Sequence, residues 1–69
     1  MNGTIFTLRN LYRDGIIRLE KAGIPDAKLD AWYLLEYETK ISRAMFLADP
    51  DKEVEKDKAE HYRRDIETR

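Results

Sequence analysis

The chain has 69 residues, no cysteine, 42% apolar and 39% charged side chains, and a formal net charge of −1. That length allows one domain, 1–69, near the lower limit for a single core without staples, and the missing thiols exclude disulfides, zinc–thiolate centres and cysteine nucleophiles. A general nucleic-acid binder would carry a basic excess, and no apolar run approaches the roughly 20 residues that cross a bilayer, so neither nucleic acid nor membrane is an expected partner.

The opening "MNGTIFTLRN" lacks the basic and apolar regions of a secretory signal, which makes the cytoplasm the expected location. Three glycines, two prolines and no strand-like alternation predict an all-α chain. The expected architecture is a small four-helix orthogonal bundle over about 4–21, 26–39, 42–48 and 52–68. In the first helix Thr4 or Thr7 can serve as the cap. Ile5, Leu8, Leu11, Tyr12, Ile16 and Leu19 recur at three- and four-residue steps and stack on one face. Gly15 falls inside that stripe, at a mid-helix cost of about 1 kcal/mol relative to alanine. It marks either a close helix crossing or a tolerated defect. Phe6 and Ile17 point away from the stripe, as residues of a fraying end or of a docking surface.

"AGIP" then stops the helix. Gly23 can take the left-handed conformation, Ile24 can fold back as its apolar contact, and Pro25 forbids continuation. Pro25 also suits the start of a second helix, with Asp26 favourable at its positive end. On a wheel of about 100° per residue, Ala27, Ala31, Leu34 and Leu35 share one face of that helix, and Leu29, Trp32 and Tyr33 a second. A helix apolar on two sides is either the centre of the bundle or keeps one face for another domain.

Ser42 is the expected cap of a short third helix whose Met45, Phe46 and Leu47 would plug the bundle, Met45 as gap filler. After "DPD" a charged fourth helix carries a thin stripe of Val54, Ala59, Tyr62 and Ile66. Acidic residues lie early in it and Arg63, Arg64 and Arg69 late, which suits its dipole. The chemistry is sparse. His61 stands alone among charges, with no second histidine or cysteine to complete a metal site. Asp30 and Glu36, six positions apart on a helix, face different ways and make no acid/base pair. With no phosphate loop and no Ser-His-Asp set, the chain is expected to hold no catalytic, cofactor-binding or metal residues and not to be an enzyme by itself.

Residues 22–47, "AGIPDAKLDAWYLLEYETKISRAMFL", carry a resemblance that extends over nearly the whole chain. Ala22, Gly23 and Ile24 form an Ala-Gly-aliphatic turn. Leu29, Asp30, Ala31, Leu34 and Leu35 follow the pattern Leu-Asp-Ala-x-x-Leu-Leu. Ser42, Arg43, Phe46 and Leu47 make a Ser-Arg segment, and Arg63, Arg64 and Arg69 end a charged helix. In this order and spacing they resemble the N-terminal helical domain of the HemK/PrmC family, the release-factor glutamine methyltransferases. The resemblance implies a two-domain enzyme whose C-terminal Rossmann-like domain binds S-adenosylmethionine. That domain methylates the glutamine of the Gly-Gly-Gln motif in class I peptide release factors, using an Asn-Pro-Pro-Tyr motif. Neither that motif nor a glycine-rich cofactor loop occurs in these 69 residues. The chain is therefore expected to be an excised recognition domain that needs no cofactor of its own. Its implied partners are a class I release factor and its own catalytic domain in cis.

Within that frame Trp32 and Tyr33, with Phe6 and Ile17, are the expected contact surface. Trp32 stands where many family members carry a polar residue, which favours an interface. The family usually places a glycine near Lys40, so the second helix here must close on another residue or a tighter turn. Gly23, Leu34 and Leu35 are assigned structural roles. Asp30 and Arg43 are expected to pair across the turn, the guanidinium forking onto the carboxylate. A free-standing adaptor that takes a partner helix in a groove is the competing reading. A helix-turn-helix DNA binder is disfavoured by the charge balance, with Arg43 the only basic residue opening a candidate recognition helix.

Overall fold

A computed structural model describes residues 6–68 of the chain; the expected cap at Thr4, the apolar Ile5 and the late Arg69 lie outside these residues. In chain order the elements are β1 (Phe6–Thr7), α1 (Leu8–Lys21), α2 (Ala27–Thr39), α3 (Arg43–Ala48), β2 (Glu53–Val54) and α4 (Lys56–Glu67). The described chain is mostly helical, with four helices, and the expectation of an all-α protein holds in that broad sense.

The two short strands were not expected. They pair antiparallel, Phe6 opposite Val54 and Thr7 opposite Glu53, so the fourth helix starts at Lys56 and not near 52. The pairing answers a need of α1, whose first N–H groups have no partner within the helix. Leu8 N–H donates to Lys52 O (3.1 Å), Arg9 N–H to Pro50 O (2.8 Å) and Asn10 N–H to the Thr7 hydroxyl (3.1 Å). The "DPDK" loop between α3 and β2 thus covers the start of α1, and Arg9 and Asp51 add an exposed ion pair at 3.4 Å.

The end of α1 follows the sequence closely. Ile24 N–H donates to Leu19 O and Gly23 N–H to Glu20 O, both at 3.0 Å, with Gly23 at φ 81°. This is the doubly bonded left-handed stop, and Ile24 packs back on the core. Ser42 caps α3 as expected, its hydroxyl accepting from Met45 N–H at 3.2 Å. Asp26 precedes α2 but makes no side-chain cap bond, so its contribution there is its charge alone.

Leu8, Leu11 and Leu19 of α1, Ala27, Ala31, Trp32 and Leu35 of α2, Ile41, Phe46 of α3, and Ala59, Tyr62 and Ile66 of α4 form the core. Gly15 belongs to a close crossing: a Cβ there would run into the hydroxyl and ring edge of Tyr62 and reach within 3.1 Å of Ile66 Cδ1. The Tyr62 ring slides between α1 and α2, and its hydroxyl donates to Ala31 O at 3.4 Å. Of the three residues expected to plug the bundle, only Phe46 does so. Met45 and Leu47 are exposed at 51% and 67%. One short helix cannot turn three consecutive side chains the same way, because each step rotates them by about 100°.

Candidate functional site

Helix α2 has two apolar faces, and the structure divides them differently from the sequence reading. Ala27, Ala31 and Leu35 are buried, and Leu34 is half-buried against them. Trp32 joins this side, at 9% exposure. On the wheel it lies about 60° from Leu35, while Tyr33 lies about 160° away, so the long indole can lean into the core. There it meets Phe46 edge-on with centroids 5.4 Å apart, and Tyr12 at 6.2 Å; Tyr12 and Phe46 complete the triangle at 5.5 Å. Such edge-to-face contacts each add stability beyond the area they bury. The assignment of Trp32 to a partner surface is therefore corrected: its ring holds α1, α2 and α3 together.

The Arg43 guanidinium covers this cluster from outside, 4.9 Å from the Trp32 ring and 5.9 Å from that of Phe46. Among the described residues no Asp30–Arg43 ion pair falls within 4.0 Å, which corrects the proposed fork. The planar cation finds a better site on the electron-rich faces of two rings than in a salt bridge held in open water.

What remains open on α2 is a line of Leu29, Tyr33 and Tyr37, four residues apart and exposed at 49%, 55% and 67%. The i, i+4, i+8 spacing places them on one solvent-facing strip. Tyr37 was missed in the sequence reading, although its register with Leu29 and Tyr33 was there to be read. Ile17 on α1 is exposed too, at 43%. Phe6 is half-buried on β1, packed against the core beneath the Arg63 guanidinium at 5.8 Å. Of the four expected contact residues, Tyr33 and Ile17 are free to meet a partner, Phe6 in part, and Trp32 is not.

Where α2 ends, Lys40 takes the left-handed conformation (φ 59°, ψ 24°), the position usually filled by glycine. Its ammonium lies 5.0 Å from the Tyr37 ring centre. Lys40 also borders a cleft of about 370 Å³ floored by Leu8, Ile41, Met45 and Val54, with Lys52 and Lys58 on its rim.

A polar seam joins the end of α2 to α4. The Glu38 carboxyl lies within hydrogen-bonding reach of that of Asp65; this neighbour, burial and the Asp65 charge raise its pKa above the ordinary glutamate value, against a smaller pull from His61 and Lys40. His61 Nδ1 stands 3.8 Å from Glu38 Oε1. Burial raises the Tyr62 phenol beyond its usual range as well, with Asp14 and Tyr12 adding to the effect, so it serves as a neutral donor. Among the described residues no group of three or more His, Cys, Asp or Glu side chains is placed to hold a metal ion, and no helix is long and apolar enough to cross a membrane.

A family model described as the PrmC N-terminal domain matches residues 10–69. No curated protein and no solved structure matches the chain.

Proposed function

Because the chain belongs to the PrmC N-terminal domain family, we propose that it is the recognition domain of a release-factor glutamine methyltransferase. It holds a class I release factor while a catalytic domain in the same protein methylates the Gly-Gly-Gln glutamine with S-adenosylmethionine. Family membership carries this reading, and the open α2 strip supplies a surface suited to it. Tyrosines are favoured at binding surfaces because they bring large, stiff, amphipathic area at small entropic cost. The positive-φ glycine, Gly23, closes a helix at the surface with open space where its Cβ would be, and cradles nothing. The cofactor therefore belongs to the catalytic domain in this proposal.

The reading is tested by titrating the 69-residue chain with a class I release factor in a calorimeter, beside a chain carrying Tyr33→Ala and Tyr37→Ala. Saturable binding by the parent chain, weakened on the order of tenfold in the double variant, is the expected result. The variant should stay folded, its thermal midpoint lowered by only a few degrees, since both rings are exposed and the stacking of Lys40 on Tyr37 contributes about 0.5–1 kcal/mol. A release factor that gives no heat with the parent chain overturns the proposal, and leaves the domain to other partners, as a free-standing adaptor would have.

A further inference from the structure

The α2–α4 seam holds an arrangement that neither the core nor the proposed recognition surface requires. Asp65 Oδ2 is buried and accepts no hydrogen bond, although a buried acceptor left without a donor is costly. No cation compensates Asp65 either: among the described residues no basic group lies within 4.0 Å of it. Arg18 on α1 is taken by Asp14 at 2.9 Å and Glu67 at 3.7 Å. What lies within hydrogen-bonding reach of Asp65 is the carboxyl of Glu38, whose side chain is only 13% exposed.

We propose that Glu38 and Asp65 share one proton across the seam, forming a latch that draws α2 and α4 together as the pH falls. With the proton in place, one carboxyl donates to the other and the orphaned oxygen is satisfied. With both groups ionised, two like charges face each other in a partly dry site, and the seam is strained. Glu38 also faces Lys40 at the end of its own helix and His61 on α4. Both favour the ionised carboxylate, and so set how far the pH must fall before the latch closes.

The sign follows from linkage. A carboxyl that holds its proton more tightly folded than unfolded makes the folded state the greater proton binder above the ordinary glutamate value. Its stabilising effect is therefore full below that value and is lost as the pH rises through the raised one.

Thermal unfolding of the parent chain, Glu38→Gln and His61→Ala between about pH 4.5 and 8 tests the latch. The amide of Glu38→Gln is a permanent neutral donor. That variant should melt about 4 °C or more above the parent at the alkaline end and vary less with pH, while His61→Ala keeps the parent's slope. Carbon-13 NMR titration of the parent's Glu38 carboxyl gives a readout free of any folding defect, and should report a midpoint above that of ordinary glutamate. An ordinary midpoint overturns the latch. So does a Glu38→Gln curve that runs parallel to or below the parent's, or a slope that vanishes with His61→Ala alone. None of these readings involves a release factor, so the latch and the recognition role stand or fall separately.

Discussion

Trp32 and Tyr33 are neighbours in the chain, similar in size and both aromatic, yet they do opposite things. Trp32 is wedged against Tyr12 and Phe46 and roofed by Arg43. Tyr33 stands in solvent in line with Leu29 and Tyr37. The two faces of α2 divide the labour of the domain. One closes the bundle, and the other is available for recognition because the bundle does not need it. An aromatic pair in a sequence does not reveal which member does which. The angle each makes with the fully buried Leu35 decides it.

The sharpest way to break this contrast is Trp32→Ala. Truncating a buried tryptophan costs about 3–5 kcal/mol, and a domain of this length has roughly 3–10 kcal/mol in total. The variant should be largely unfolded at 37 °C by circular dichroism, where Tyr33→Ala stays folded. If the two variants melt together, the faces are not distinct. Gly15→Ala probes the sealed side from α1. Alanine normally gains about 1 kcal/mol over glycine inside a helix, but here its methyl group would overlap the ring of Tyr62, which is fully buried and anchored to Ala31 O. Overpacking of this kind costs about 1–3 kcal/mol, and Tyr62 has no exit without giving up its hydrogen bond. A net loss of up to about 2 kcal/mol in urea unfolding is expected, with opposite sign to an ordinary Gly→Ala change.

Features written in consecutive residues were legible. The Ala22-Gly23-Ile24 stop, the Ser42 cap and the stripe of Leu8, Leu11 and Leu19 each need only local geometry, and each stands where the sequence put it. Features made by distant parts of the chain were not. The Phe6–Val54 ladder and the capping of α1 by Lys52 O and Pro50 O are backbone bonds between segments far apart in sequence, and two-residue strands are too short to show a period. Arg43 was given the wrong partner because charge pairing can be guessed from a sequence, while the meeting of Trp32 with Phe46 beneath that guanidinium cannot. The Glu38–Asp65 pair was hidden for a similar reason: each looks like one more surface carboxylate until α2 and α4 come together.

The smallest expected effect lies where the open strip ends. Lys40 stands in the left-handed region, which costs a residue with a Cβ about 1–2 kcal/mol relative to glycine. Its stacking over Tyr37 is exposed and returns about 0.5–1 kcal/mol. Relief of strain is the larger of the two, so Lys40→Gly should raise the unfolding free energy by up to about 1 kcal/mol, and the midpoint by a few degrees. The amide bond from Lys40 N–H to Glu36 O (2.8 Å) is kept, since glycine has the same backbone donor. A stabilised variant with weakened release-factor binding would mean that the lysine is held there, against its backbone preference, for the recognition face. Stabilisation with unchanged binding would confine that face to Leu29, Tyr33 and Tyr37.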